Sequence, residues 1–120
     1  MASTEPQRGE IWLASLGASR PGEPGKNRPV VVISVDKLLT GSDEDLIAVV
    51  PLSSFRTGSL LRPKIPPGAG IDVESVAIPR AVRAIARKRL LRPLGRADTE
   101  TLAEIEDALA TVLGLDRLLN

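Results

Sequence analysis

The sequence predicts a mainly β protein with one C-terminal α-helix, arranged as a small barrel or half-open sheet that is capped on one side. Apolar runs of strand length, rich in Val and Ile, alternate with turns that contain Gly and Pro. A helical spacing of apolar residues is clear only near the C-terminus. The chain is long enough for one hydrophobic core, so we expect residues 1–120 to form a single domain with a flexible N-terminus at residues 1–7.

The first two strands are predicted on either side of a long polar loop. Residues 9–16 are short, mostly apolar and bounded by turn residues, as expected for a first strand. Residues 17–27 contain three glycines and two prolines, which predicts a mobile loop inside the domain. Residues 29–35 form an apolar run rich in β-branched residues, typical of a strand buried on both faces, with Pro29 at its first position.

Three further strands are predicted in the middle of the chain. Residues 46–52 are apolar and predict a third strand that ends near Pro51. Residues 60–65 predict a short strand in which Pro63 marks an edge or a bulge. A turn rich in Pro and Gly follows, after which residues 76–78 continue the sheet.

The C-terminal third contains one ambiguous segment and one clear helix. Residues 82–91 fit both a helical stripe and the alternation of a strand, and periodicity alone leaves both open. The last segment predicts an amphipathic helix over the sheet, because Asp98 or Thr99 can cap its start and Gly114 stands where it ends. Its apolar face contains Leu102, Ile105, Leu109, Val112 and Leu113.

The composition excludes several kinds of chemistry. Cys and His are absent, which removes zinc sites of the usual type, thiol nucleophiles and triads that need an imidazole. The acidic cluster at residues 43–45 has no fourth ligand at a useful spacing, so we expect a solvated turn there and predict no metal or cofactor. With Trp12 and Phe55 as the only aromatic residues, we expect no aromatic stacking platform for a partner.

The chain also lacks the patterns of membrane and secreted proteins. The N-terminus has no apolar stretch like that of a signal peptide. No apolar run approaches the roughly 20 residues that cross a bilayer. These observations predict a cytoplasmic protein without membrane contact.

Charge is distributed unevenly along the chain, although the net charge is only +1. Residues 80–96 contain seven Arg and Lys residues and no acidic residue, whereas residues 97–120 contain six acidic residues and one Arg. One interpretation is a surface that binds a polyanionic partner. The other is a solvated face balanced by the acidic tail, and charge alone leaves both open.

Five short motifs occur in a fixed order. They are RGEIW at residues 8–12, KNRP at residues 26–29, VVPLSS at residues 49–54, VRAI at residues 82–85 and RLLRPLG at residues 89–95. In this order and spacing the chain resembles the MazF/PemK family of toxin endoribonucleases from toxin–antitoxin systems. The similarity extends from residue 8 to residue 115.

The resemblance implies an SH3-like small barrel of the MazF/CcdB type, a homodimer, and metal-independent, sequence-specific cleavage of single-stranded RNA. In this family the ribose 2′-hydroxyl attacks the adjacent phosphorus and leaves 2′,3′-cyclic phosphate and 5′-hydroxyl ends, which inhibits translation and growth. Arg28 and Ser53 match the positions at the cleaved phosphate. A guanidinium fork suits the charge that gathers on phosphate oxygens, so we expect Arg28 to stabilise the transition state. Glu23, the third catalytic candidate, would orient Arg28 or accept a proton, and the general base is not identified.

Six further residues are predicted to contact RNA near the cleaved bond: Lys26, Asn27, Ser54, Arg56, Arg80 and Arg83. For Arg83, a structural role in the barrel or the dimer seam is an alternative. The chain departs from the family at two places. Ser53 stands where threonine is more frequent, which keeps the hydroxyl, and Arg80-Ala81 replaces an acidic residue and glutamine, so base specificity cannot be inherited.

The resemblance also implies a cognate antitoxin as partner, whose disordered acidic tail would cover the basic groove and displace the loop at residues 17–27. DNA would be contacted only indirectly through the antitoxin, and DNA should not be cleaved because it lacks the attacking 2′-hydroxyl. Two other functions stay open. One is a non-catalytic toxin of the same fold that acts on gyrase, and the other is a nucleic-acid-binding module that uses residues 80–96.

Overall fold

The computed structural model describes residues 5–17 and 26–115. Within these ranges the chain forms seven β-strands and one α-helix, joined by turns and three short 3₁₀ segments. The elements are β1 (Glu10–Ser15), β2 (Asn27–Val32), β3 (Leu46–Ser53), β4 (Lys64–Ile65), β5 (Ser75–Ala77), β6 (Arg83–Ala86), β7 (Leu90–Arg96) and α1 (Thr99–Val112).

The strands form one antiparallel sheet in which β3 is the central element. The strand order is β4-β5-β3-β2-β1-β7, and β6 pairs with β3 outside this path. On one side β3 pairs with β2, and on the other it changes partner, from β6 at its first half to β5 at Leu52 and Ser53. Because one long strand serves two shorter neighbours, the sheet bends into a half-barrel. The predicted fold, mainly β with a C-terminal helix, is confirmed.

Hydrophobic side chains are buried on both faces of the sheet. Along β2, Val30 and Val32 belong to one core cluster, which also contains Trp12, and Val31 belongs to the other. The second cluster includes Ile105 of α1, so the helix covers this face. Alternation with a period of two, with both faces apolar, is the pattern expected of a strand buried on both sides.

Helix α1 begins and ends as the sequence predicts. The Asp98 side chain accepts a hydrogen bond of 2.7 Å from the backbone N–H of Thr101, and this bond lowers the pKa of the Asp98 carboxyl. At the other end Gly114 adopts a positive φ of 72°. The Leu115 N–H donates to the carbonyl of Ala110 at 2.7 Å, which closes a Schellman turn.

The predicted bounds of the second strand are wrong at both ends. β2 starts at Asn27, which pairs with Ser15 of β1, so Pro29 is its third residue and not its first. The ladder between β2 and β3 begins only at Val30, and the missing N–H of Pro29 therefore costs no bond to β3. At the far end the Ser34 hydroxyl accepts the N–H of Ala48 at 2.8 Å. The N–H of Ile33 still donates to the carbonyl of Ala48 at 3.0 Å, so a side chain supplies only one of the two bonds of Ala48 there.

One other strand prediction needs correction, whereas the third strand ends within one residue of its predicted bound. Only Lys64–Ile65 of the predicted strand at residues 60–65 is a strand, because Ser59 and Arg62 exchange two backbone hydrogen bonds and close a tight turn before it. β3 passes through Pro51 and ends at Ser53. The carbonyl of Pro51 accepts the N–H of Ile78 at 2.9 Å, which keeps this part of β3 in the sheet.

The ambiguous segment is not helical. Arg83–Ala86 forms β6 and pairs with the first half of β3, and after a 3₁₀ turn the chain continues directly into β7. The alternation therefore gives the correct structure, and the apparent helical stripe does not. No helix in the described part of the chain is long and apolar enough to cross a membrane.

Candidate active site

The ends of β2 and β3 bring Arg28 and Ser53 to neighbouring positions. The register between β2 and β3 pairs Val30 with Pro51, and the same antiparallel register, continued by two residues, sets Arg28 opposite Ser53. Facing residues on adjacent strands project to the same face of a sheet. A direct contact agrees with this placement, because Nη1 of Arg28 donates to the carbonyl of Leu52 at 3.3 Å.

Ser53 is the last residue of β3 and is only 6% exposed. Its Oγ accepts a hydrogen bond of 3.2 Å from the backbone N–H of Phe55. A hydroxyl has one proton to donate and two lone pairs, so this bond uses a lone pair and leaves the proton available. The Ser53 hydroxyl is thus held in position as a donor for an acceptor atom that approaches from outside.

Arg28 has more donors than partners. It is half-buried, and its Nε is buried without a hydrogen-bond partner among the described residues. The ion pairs of the described chain also include no partner for this guanidinium. An unsatisfied buried donor costs about 1–3 kcal/mol, more when it is charged. An anion that reached Arg28 would remove this cost and would also neutralise the charge.

The loop between β1 and β2 closes at a narrow root beside Arg28. The Leu16 N–H donates to the carbonyl of Lys26 at 2.8 Å, and the Lys26 N–H donates to the carbonyl of Gly17. Lys26 has a φ of 58°, a conformation that costs a non-glycine residue about 1–2 kcal/mol. Glu23, the third predicted catalytic residue, lies outside the described residues, and its role stays a prediction.

Two arginines from the basic block hold this root in place. Nη1 of Arg83 donates to the carbonyl of Leu16 at 3.3 Å, and Nη1 of Arg89 donates to the carbonyl of Ser15 at 3.4 Å. The acceptors are the last residue of β1 and the residue after it, next to the start of β2, which carries Arg28. Each guanidinium uses one donor in these bonds and keeps others free. For Arg83, the structural role considered from the sequence and an RNA contact are therefore compatible.

The basic block separates into two parts in three dimensions. Arg87 pairs with Asp43 at 3.2 Å and with Glu5 at 3.7 Å, and Lys88 pairs with Glu44 at 2.7 Å. Arg96 pairs with Glu10 at 4.0 Å. Among the described residues, the other four members of the block form no ion pair. These four are Arg80, Arg83, Arg89 and Arg92.

The balanced-face interpretation therefore applies to the three paired members, and the polyanion interpretation stays open for the other four, but the expected balancing segment is wrong. Within the described chain, the carboxylates that neutralise the block come from residues 5, 10, 43 and 44, and not from the acidic tail. The acidic cluster at residues 43–45 contacts cations of the chain itself. No group of acidic side chains in the described ranges is arranged to hold a metal ion.

The remaining predicted RNA contacts lie at different distances from this centre. Lys26 and Asn27 are exposed and directly precede Arg28, and Ser54 and Arg56 are exposed just beyond Ser53. Arg80 is exposed in a 3₁₀ turn, Pro79–Ala81, that packs against α1 and β3. No hydrogen bond in the described chain joins Arg80 to the other candidates, so its part in the site is the least supported by the geometry.

One exposed side chain near the centre had no role in the sequence analysis. Phe55 is 90% exposed, whereas the other aromatic residue, Trp12, is 5% exposed and packs in the core. The sequence feature that could have pointed to Phe55 is its position directly after the Ser53-Ser54 pair.

These features define a small half-barrel protein with a cationic, hydroxyl-bearing site at the ends of two adjacent strands. Residues 7–113 match the family model described as the PemK-like, MazF-like toxin of type II toxin–antitoxin systems. The match covers most of the chain, and the protein belongs to this family.

Individual relatives agree with the family assignment. The chain is 35% identical over 117 residues to Endoribonuclease MazF9 of Mycobacterium tuberculosis, which covers 91% of this chain and 97% of that protein. The fold is similar to that of MazF from Deinococcus radiodurans, with a TM-score of 0.78 at 23% identity over 93% of this chain and 99% of the other. A mycobacterial endoribonuclease in complex with its cognate antitoxin gives a TM-score of 0.73 at 21% identity, over 92% and 96% of the two chains.

Proposed function

We propose that this family member is a metal-independent endoribonuclease that acts as a cytoplasmic toxin and cleaves single-stranded RNA. The observation that carries the proposal is the half-buried guanidinium of Arg28, with an unpartnered buried Nε, at the strand end beside the Ser53 hydroxyl. This pair suits a phosphodiester. The name of the relative that is 35% identical, an endoribonuclease, supports the same activity.

In the proposed reaction the ribose 2′-oxygen attacks the adjacent phosphorus, and the bond from phosphorus to the 5′-oxygen breaks. The 2′-hydroxyl loses its proton to a base, the 5′-oxygen gains one, and the products carry a 2′,3′-cyclic phosphate and a 5′-hydroxyl. No water is consumed in this step. The reaction needs a 2′-hydroxyl, so DNA is not a substrate.

Arg28 stabilises the charge that develops on the non-bridging oxygens. A guanidinium stays protonated at neutral pH, so it is a poor proton donor but a permanent source of positive charge and of paired N–H donors. The carbonyl of Leu52 already holds one nitrogen, so little reorganisation is needed when the phosphate arrives. Preorganised donors of this kind contribute most in the transition state.

Ser53 donates its free proton to a second phosphate oxygen. The N–H of Phe55 fixes the position of Oγ, and the low exposure of Ser53 keeps water from competing for the bond. Glu23 remains the candidate that orients Arg28 or accepts the 2′-hydroxyl proton.

The cationic and polar side chains around the site bind the RNA backbone. Arg83 and Arg89 extend from the loop root, Lys26 and Asn27 precede Arg28, and Ser54 and Arg56 follow Ser53, while Arg80 adds a contact at the outer edge. For single strands the logarithm of the binding constant falls with the logarithm of salt concentration, with a slope of about −0.7 for each neutralised phosphate. Binding of RNA should therefore weaken steeply as salt rises.

The protein also pairs with a cognate antitoxin and forms a homodimer. The family consists of toxins from two-component systems, and one structural relative was solved with its antitoxin. An acidic, disordered antitoxin segment fits the unpaired arginines electrostatically. Several large apolar side chains are exposed and are candidates for burial by a second subunit: Val35, Leu38, Leu46, Leu91 and Leu113.

Cleavage of a defined single-stranded RNA in EDTA tests the proposal. The wild-type protein should produce 2′,3′-cyclic phosphate ends, the Arg28→Ala variant should not, and DNA of the same sequence should stay intact. Salt-dependent RNA binding without product would favour the binding module instead. Inhibition of gyrase supercoiling without RNA cleavage would favour the non-catalytic toxin.

A further inference from the structure

Phe55 is a large apolar side chain that lies exposed on the connection directly after β3. It is 90% exposed, and its backbone N–H is bonded to the Ser53 hydroxyl. Exposed aromatic rings at a nucleic-acid site commonly stack on unpaired bases. The composition predicted no aromatic stacking platform, but one ring in the right position is enough to stack one base.

The chain around Phe55 is attractive to a polyanion. Residues 54–64 contain Arg56, Arg62 and Lys64 and no acidic residue. Within the described chain none of the three forms an ion pair, although Nε of Arg62 donates to the carbonyl of Thr57 at 2.8 Å. An apolar ring on a segment that carries three cations without an ion pair in the described chain fits a nucleotide better than it fits another apolar protein surface.

The reach of the ring is limited by its attachment. Two residues span at most about 7 Å along the backbone, so the Cα of Phe55 lies within that distance of the Cα of Ser53. The hydrogen bond to the Ser53 hydroxyl ties the two positions together. A base that stacks on this ring therefore belongs to a nucleotide next to the cleaved phosphate and not to a distant part of the RNA.

We propose that Phe55 is a positioning residue that stacks on one base beside the cleaved phosphodiester and so helps to fix which bond reaches Arg28 and Ser53. This inference rests on the proposed function for its meaning in catalysis, but the stacking itself can be measured by binding alone. Because every base has a π-face, Phe55 contributes affinity and register, with little choice between bases.

The test is a double-mutant cycle on binding. A labelled single-stranded RNA with 2′-O-methyl groups, which cannot be cleaved, is bound by wild-type protein and by Phe55→Ala, and an abasic site is moved through each position in turn. Loss of one stacked base costs about 5- to 150-fold in affinity. We expect Phe55→Ala to show this loss on the complete RNA, and to show almost none when the abasic site is at the stacked position.

Three variants separate stacking from other effects. Phe55→Trp should bind RNA at least as tightly as wild type. Phe55→Leu keeps an apolar side chain but has no ring to stack, so it should lose most of the contribution of Phe55 to the affinity. Leu60→Ala is the matched control, since Leu60 is 92% exposed at the tip of the turn closed by Ser59 and Arg62. It should bind RNA like wild type at every abasic position.

Several results would overturn the inference. The first two are an equal loss of RNA affinity in Phe55→Ala at every position of the abasic site, and wild-type affinity in Phe55→Leu. The other two are dissociation of a dimer by Phe55→Ala in sedimentation, and loss of inhibition by the antitoxin in Phe55→Ala while its RNA affinity is unchanged. If wild-type protein cleaves RNA and the cycle shows no coupling, the inference fails and the proposed function stands. If coupling is found and unmodified RNA stays intact, the proposed function fails and the stacking stands.

Discussion

Replacement of Arg28 by alanine should remove activity while stability changes little. The substitution loses a hydrogen bond from a charged donor to the Leu52 carbonyl, worth about 1.5–3 kcal/mol. It also removes the buried Nε, which has no partner among the described residues and so costs the wild type about 1–3 kcal/mol. The two effects nearly cancel, so the free energy of unfolding should change by less than about 1.5 kcal/mol, or about 6 °C in Tm.

The activity of the same variant should fall by at least about 10²- to 10³-fold, the range found when one preorganised donor to a transition-state oxyanion is lost. Arg28→Lys keeps the charge without the fork and should recover about tenfold of this loss. The assay is single-turnover cleavage of a defined RNA in EDTA, with thermal unfolding of each variant measured alongside. Lys37→Ala, which removes an exposed cation outside the basic block and without an ion pair in the described chain, is the control.

A drop in stability of 3 kcal/mol or more in Arg28→Ala, at unchanged activity per folded molecule, would refute this reasoning. Arg28 would then be a structural residue whose carbonyl bond matters more than its free donors.

Three other predictions concern the hydroxyl, the helix cap and a close backbone contact. Ser53→Thr should keep activity within about tenfold, whereas Ser53→Ala should lose about 10²-fold or more in single-turnover cleavage, and equal rates for the two would exclude a hydroxyl role. Because the pKa of Asp98 is lower in the folded state, its carboxylate stabilises the fold above the unfolded pKa of about 3.9, and this stabilisation is lost as the pH falls through the lower folded pKa. Between pH 5 and pH 2 the Tm of Asp98→Asn should therefore fall less than that of wild type. A parallel fall would refute it. Gly95→Ala should destabilise by about 3 kcal/mol in urea unfolding, because a Cβ there would overlap the Ala69 carbonyl, and a neutral result would mean that this contact relaxes freely.

Local sequence patterns predicted the secondary structure correctly where apolar runs and helix caps define an element. The apolar run at Val30–Val32 is buried on both faces, and the caps at Asp98 and Gly114 lie at the predicted ends of α1. The start of β2 was missed because Asn27 and Arg28 are polar, and their strand conformation comes from pairing with β1. Pairing of polar residues with a neighbouring strand leaves no alternation of apolar residues in the sequence, so it could not be predicted from the pattern.

Contacts between distant residues decided the remaining features. The segment at residues 82–91 becomes two strands and a turn because β6 pairs with β3 and β7 pairs with β1, and neither partner can be read from a local period. The ion pairs of Arg87 with Asp43 and of Lys88 with Glu44 each join residues 44 apart in sequence. The division of the basic block into paired and unpaired arginines therefore required the folded chain.

The placement of the site residues was predicted in part. The motif order pointed to Arg28 and Ser53, and the strand register explains why residues 25 apart are neighbours. The sequence did not reveal the unpartnered Nε or the exposure of Phe55. Both depend on what the rest of the fold leaves uncovered.

The position of β3 at the centre of the sheet restricts how this protein can change over time. Inserting or deleting one residue in β3 ahead of Val49 would turn Ser53 to the opposite face and would move Val49 from one core cluster into the other. The connection that follows carries no such constraint, because residues 54–62 lie outside the sheet, which the chain rejoins where the carbonyl of Pro63 accepts the N–H of Ala77 at 2.9 Å. New RNA target preferences can therefore arise when this segment is lengthened, shortened or substituted, while Arg28 and Ser53 keep their positions.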